Sequence, residues 1–177
     1  MKKYELLKDD TIEVAGKTLF RIKALISFKD IRKGEIGGYV EAERNLSQSG
    51  NAWVTGNAWV CDDAWVSGNA RVTGNARVSD NAWVSGNACV TGNAWVCDDA
   101  WVSGNAWVET SNDYIVFKNN WSSFRWFTYT KSNKMWRVGC FYGTGDELIK
   151  EAYADSEESG RKYELYVNLV KELYRDE

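Results

Sequence analysis

The sequence predicts a mainly β protein, a parallel β-helix with three strands in each coil, and three observations lead there. From Asn51 to Thr110 the chain runs through ten hexads without an insertion: NAWVTG, NAWVCD, DAWVSG, NARVTG, NARVSD, NAWVSG, NACVTG, NAWVCD, DAWVSG, NAWVET. A fixed short period of this kind is the mark of a stacked repeat. Within each hexad the second residue is always Ala and the fourth always Val, while the third is Trp, Arg or Cys. Alternation at period two sends Ala and Val to one face of a short strand and the variable residue to the other. Finally, the remaining columns recur every eighteen residues, with Thr at Thr55, Thr73 and Thr91, Ser at Ser67, Ser85 and Ser103, and Asp in place of Gly at Asp62, Asp80 and Asp98. A twelve-residue coil would mix Thr with Ser in one column. Three hexads per coil is therefore the reading, a triangular prism filled by Ala and Val with coils about 4.8 Å apart.

The hexad closes on Gly-Asn, Asp-Asn or Asp-Asp, residue pairs that tolerate left-handed backbone at a corner. Upstream, Asn45–Gly50 (NLSQSG) is read in the same frame and Tyr39–Arg44 (YVEAER) loosely so, which makes residues 39–110 four coils. Residues 1–38 form an N-terminal β-hairpin cap: positions 11–27 alternate as two strands about an Ala15-Gly16-Lys17 turn. The charged stretch from Lys29 to Lys33 leads into Gly34, Gly37 and Gly38, an elbow onto the first coil.

After Thr110 the repeat ends, and residues 111–177 are expected to make a small α+β domain. Tyr114–Phe117, Phe124–Thr130 and Met135–Phe141 read as three strands. Thr144 and Glu147 have capping-box spacing for a helix to about Ala154. A second helix over Glu157–Tyr174 lines up Tyr163, Tyr166, Val167, Val170 and Tyr174 on one stripe. A β-helix exposes unpaired backbone at both ends, so both flanks are expected to cover an edge.

Composition narrows the chemistry. The chain of 177 residues has no His and no Pro, ten Trp, and a formal charge of −3. Imidazole bases and imidazole metal ligands are excluded, and the charge argues against duplex nucleic acid and anionic lipid. No apolar run reaches membrane-spanning length, and the start MKKYELLKDD leads into charge, so neither a membrane span nor a secretory signal is expected.

The repeat V-[ST]-G-N-A-x resembles the hexapeptide repeat of left-handed parallel β-helix proteins, best known from acyltransferases, and left-handed winding is what that resemblance implies. Residues 18–54 (TLFRIKALISFKDIRKGEIGGYVEAERNLSQSGNAWV) and 139–152 (GCFYGTGDELIKEA) resemble the opening and the closing domain of a phage and prophage hexapeptide-repeat family. Hexapeptide acyltransferases use a His as general base, which this chain lacks. Carbonic-anhydrase-like chemistry on the same fold would likewise need His ligands.

The outward residues sort into three columns. Trp65, Trp83 and Trp101 form a continuous aromatic column; Trp59, Arg77 and Trp95 form a second, with Arg77 placed to stack between indoles; Trp53, Arg71, Cys89 and Trp107 form the third. Asp62, Asp63, Asp80, Asp98 and Asp99 share the corner beside the all-Trp column. Like charges at rung spacing repel, which turn geometry, local pairing or a cation would relieve. Residues 39–110 carry eight acids against three bases, whereas residues 1–38 carry nine bases against six acids. Cys61 and Cys97 lie two coils apart, about 9–10 Å, beyond disulfide reach. With Cys89 and Cys140 elsewhere, free thiols and a cytoplasmic setting are expected, with no zinc site, no other metal and no cofactor.

Three function classes follow. One is a non-catalytic interaction protein that holds a protein partner, or further copies of itself as a homo-oligomer, through the Trp faces and acidic corner; the phage-like flanks imply inhibition of a host or defence protein. The second is a nucleotide or small-ligand binder that stacks bases on Trp and Arg. The third is an atypical acyltransferase working without His.

Overall fold

The structure, a computed structural model, describes residues 1–177. Three strands, β1 (Tyr4–Val14), β2 (Lys17–Ala24) and β3 (Ile36–Val40), precede ten two-residue strands, β4 to β13, one per hexad from Trp53–Val54 to Trp107–Val108. These stack in parallel as three faces: β4-β7-β10-β13, β6-β9-β12, and β5-β8-β11 continued by the N-terminal strands. Every hexad Ala and Val from Ala52 to Val108 is buried along the axis. The solenoid of about four turns expected from the hexads is the observed architecture. Each coil donates its N–H groups to the next, as in Trp83 N to Ala100 O (2.8 Å) and Ser85 N to Val102 O (2.9 Å).

The corners divide their labour differently from the sequence expectation. Left-handed backbone falls on the sixth residue of the hexad, Gly at most corners and Asp62, Asp80 and Asp98 at φ of 60°, 59° and 57°. The Asn that follows is not in that region. Instead its amide joins a ladder up the corner: Asn51 donates to Asn69 (2.9 Å), Asn69 to Asn87 (3.0 Å) and Asn87 to Asn105 (3.3 Å).

The frame of the first coil also needs correction. Val40 pairs with Val60 and Leu46 with Val66, twenty residues apart, whereas from Asn51 onward partners lie eighteen apart. Leu46 thus fills a Val position rather than the Ala position that NLSQSG suggests, and the corner Ser47–Ser49 holds two extra residues. The physical reason is the hairpin: the Gln48 side-chain carbonyl accepts from the backbone of Lys3 (2.8 Å) and Tyr4 (3.3 Å), so this corner widens to seat the N-terminus. β1 correspondingly starts at Tyr4, well before position 11, with a bulge between Leu7 and Thr11. A charged, bulged strand is suited to a sheet edge. β3 pairs antiparallel with β2 and parallel with β5, so hairpin and coil share one sheet.

Backbone N–H and C=O groups of successive residues alternate in direction along each strand, so the first and last rungs both leave groups without a partner coil. The first coil leaves carbonyls bare, and the N-terminal segment brings donors: Lys3 Nζ to Ala52 O (2.9 Å) and Tyr4 Oη to Leu46 O (2.7 Å). The last coil leaves both N–H and carbonyl groups bare, and the C-terminal segment brings hydroxyls that serve either: Tyr114 Oη and Ser111 Oγ donate to Trp95 O (2.8 and 3.4 Å). Ser111 Oγ accepts from Trp95 N (3.1 Å), Thr128 Oγ1 from Trp101 N (2.9 Å), and Ser132 Oγ from Trp107 N (2.7 Å). Edge satisfaction by side chains replaces the missing rung at either end.

Lys3 carries a pH consequence. Burial first, and the nearby Arg71 guanidinium second, lower its pKa from 10.5 to about 8. The unfolded chain keeps that proton to higher pH than the folded one, so this group adds stability as pH rises from about 8 toward 10.5. Above about 10 the phenols of Tyr4 and Tyr114, held above their usual range chiefly by burial, act in the opposite sense. Urea midpoints for the wild type and Lys3→Met should therefore diverge in slope between about pH 8 and 10, with the wild type gaining and the variant flat. Parallel slopes would remove Lys3 as the cause.

The C-terminal domain is a four-stranded antiparallel sheet, β14 (Tyr114–Lys118), β15 (Trp126–Thr130), β16 (Met135–Val138) and β17 (Phe141–Gly143), under helices α1 (Gly145–Asp155) and α2 (Glu157–Leu173). Met135–Phe141, expected as one strand, is split by a turn at Gly139 and Cys140, where Gly139 takes φ of 56°. Thr144 and Glu147 form the expected capping box. Phe127, Trp136, Val138, Leu148, Val167 and Val170 make a separate core beneath the helices.

Candidate functional site

The all-Trp column is a true stack. Trp65 and Trp83 lie 4.8 Å apart at 24°, and Trp83 and Trp101 lie 4.1 Å apart at 6°. Two of the three indole N–H groups are used by the preceding coil: Trp83 Nε1 donates to Ser67 Oγ (3.1 Å) and Trp101 Nε1 to Ser85 Oγ (2.9 Å). The Ser column seen in the sequence is therefore the acceptor row for the indoles. Arg137 of β16 closes the stack, its guanidinium 3.6 Å from the Trp101 ring. The stack covers its own faces and leaves outer edges to solvent, with Trp65 40% exposed.

The second column extends beyond the repeat. In register across the shared sheet run Arg21, Tyr39, Trp59, Arg77 and Trp95. Arg21 sits 4.2 Å over the Tyr39 ring and Arg77 5.7 Å over Trp59. Trp95 donates from Nε1 to Ser79 Oγ (2.8 Å) and remains 45% exposed.

The third column does not form a binding face. Trp53 is wholly buried, with Tyr4 and Phe28 packed edge-on against it at 6.2 and 5.5 Å. The widened first corner brings the N-terminal segment over this indole, which the hexad pattern cannot reveal. Arg71, two rungs from the cap edge, is paired with Asp30 of the same segment. Cys89 is half-buried, and Trp107 alone in this column is strongly exposed.

The acidic corner is one continuous row with two different halves. Glu41 accepts from Asp62 N (2.7 Å), Asp62 from Asp80 N (3.5 Å) and Asp80 from Asp98 N (3.4 Å), so each carboxylate serves the next left-handed corner. Lys17 pairs with Asp62, and Arg44 lies 3.6 Å from Asp63. Asp80, Asp98 and Asp99 have no such cation. The oxygens and sulfurs of Glu41, Cys61 and Asp62, and those of Asp80, Cys97 and Asp98, each gather within 4.8 Å. Burial pushes the Cys61 and Cys97 thiols up, so they stay protonated and donate to Asp62 (3.0 Å) and Asp98 (3.3 Å). All four cysteines are unpaired.

Sequence reasoning missed the cleft at the foot of the Trp stack. Asp99, Trp101, Arg125, Trp126, Thr128 and Arg137 line a cavity of about 210 Å³. Neither Arg125 nor Arg137 has a carboxylate partner. Asp99 and Trp101 belong to the repeat, but nothing periodic marks Arg125, Trp126, Thr128 and Arg137, which come with the antiparallel sheet and meet the coil only through docking.

Residues 64–80 and 82–98 match the family model of the YdcK beta solenoid repeat, two stretches that together cover about a fifth of the chain. No curated protein matches the sequence. No helix is long and apolar enough to cross a membrane.

Proposed function

We propose that the protein is a non-catalytic binding module that holds a basic segment of a protein partner along the edge between the two Trp-bearing faces. The observation that carries this is the uncompensated half of the acidic row. Asp98 stands three residues after the exposed Trp95 and three before Trp101, and Asp80 repeats that placement one coil earlier between Arg77 and Trp83. A Lys or Arg side chain laid on this edge meets carboxylates in the centre and indole edges beside them, which combines charge attraction with cation–π contact. The phage-like flanks and the free thiols support a phage-encoded protein that occupies a host or defence protein in the bacterial cytoplasm.

The test uses Asp80→Asn/Asp98→Asn/Asp99→Asn, substitutions that keep size and turn preference. The wild type should capture a basic partner from bacterial lysate and bind a lysine-rich peptide by calorimetry at low salt, and the triple variant should bind at least about tenfold more weakly. Equal capture by both proteins, or no binding by either, would reject this edge as the site. A second reading rests on the unpaired Arg125 and Arg137 beside Trp101 and Trp126, a setting for a small anionic aromatic ligand such as a nucleotide. A thermal shift with nucleotides that Arg125→Gln abolishes would favour it over the protein partner.

A further inference from the structure

The closing helix presents a second surface that the basic-partner reading does not use. Leu165, Leu169 and Leu173 of α2 are 64%, 45% and 55% exposed, whereas Val167 and Val170 on the opposite side are buried against the sheet. Spaced by four, the three leucines form one ridge along the helix. Neither the domain core nor the solenoid accounts for them, because the core stripe of α2 runs through Tyr163, Tyr166, Val167 and Val170. A contiguous apolar ridge at the surface is characteristic of a contact face.

The charges around the ridge indicate what covers it. Arg161 lies one turn before Leu165 and has no carboxylate partner, and Asp176 lies just past the helix end, 3.8 Å from its neighbour Arg175. Two copies of α2 laid antiparallel about Leu169 set Leu165 against Leu173 and bring Arg161 to the end that carries Asp176 and Glu177, each contact made twice by symmetry. The helix dipoles also oppose in that arrangement. A parallel arrangement would set Arg161 against Arg161.

We infer that this face joins two copies of the chain through an antiparallel α2–α2 contact. A single helix pair buries well under the ~800 Å² per partner of a standard interface, so the dimer is weak, with a dissociation constant on the order of 100 µM. The interface is separate from the acidic edge, so its failure and that of the proposed function are read independently.

Sedimentation velocity from about 5 to 500 µM tests it. The wild type should shift toward twice the monomer mass as concentration rises, and Leu169→Lys should remain monomeric with an unchanged circular-dichroism melt, since the side chain is half exposed. Arg161→Glu and Asp176→Arg should each weaken dimerisation at least about tenfold, and an equimolar mixture of the two should restore it, because every cross-copy pair is then of opposite sign. A wild type that stays monomeric throughout, or a mixture no better than its components, overturns the inference. Restoration by the mixture would exclude a different protein as the occupant.

Discussion

Trp53→Ala is expected to lower folding stability by about 3–5 kcal/mol, the cost of emptying a fully buried aromatic site. Trp53 holds the N-terminal cap to the solenoid: Tyr4 and Phe28 both rest on its ring, and Tyr4 in turn supplies the donor for the bare carbonyls of Glu43 and Leu46. Loss of the indole therefore releases more than its own surface. The segment before Tyr39 should become open to proteolysis at temperatures well below the main unfolding transition. Trp107→Ala makes the control. It occupies the same column with the same hexad letter, yet it is 54% exposed, and its removal should cost less than about 1 kcal/mol. Urea unfolding of the two variants beside the wild type measures the contrast. Equal losses would mean that the hexad position, and not the cap, sets the energetics.

Ala88→Leu should be destabilising by about 3 kcal/mol or more, at the upper end for an overpacked core. Ala88 is completely buried midway along the prism, stacked between Ala70 and Ala106 of the same face. Ordinary cores relax around an extra methylene by shifting one element against another. Here each coil is bonded to both neighbours, Arg71 N to Ala88 O (2.9 Å) and Cys89 N to Ala106 O (2.9 Å), so one rung cannot widen alone. The next residue gives the control: Cys89 points outward, and Cys89→Leu should change stability by less than about 1 kcal/mol. The urea midpoint should fall for Ala88→Leu with its slope unchanged. A slope change would show a partly unzipped solenoid instead.

The repeat was the most legible part of the chain because a six-residue strand-and-corner unit constrains every letter. Ala and Val report the interior, and the eighteen-residue columns report the coil, so the positions of Trp65, Trp83 and Trp101 above one another followed from counting. What counting could not supply was anything decided by a long-range contact. The two-residue slip at Ser47–Ser49 depends on Gln48 meeting the backbone of Lys3 and Tyr4, more than forty residues away in sequence. Burial of Trp53 depends on the same segment. Arg137 reaches Trp101 only because β15 docks through Thr128. The Ser column marks the register in the sequence, but its role as indole acceptor rests on the geometry. The unequal halves of the acidic row were likewise invisible, since Lys17 and Asp62 are brought together by the hairpin alone.

The covered ends of the solenoid have a further consequence for how its coil stays one molecule long. Either terminus of a bare solenoid exposes a row of alternating backbone donors and acceptors that matches the other terminus, so any two uncapped chains would be complementary head to tail, and the contact would repeat without closing. Growth into a filament is the default fate of this geometry. Lys3 and Tyr4 at one end, and the hydroxyls of Ser111, Thr128 and Ser132 at the other, act as chain terminators that fix the length at a single molecule.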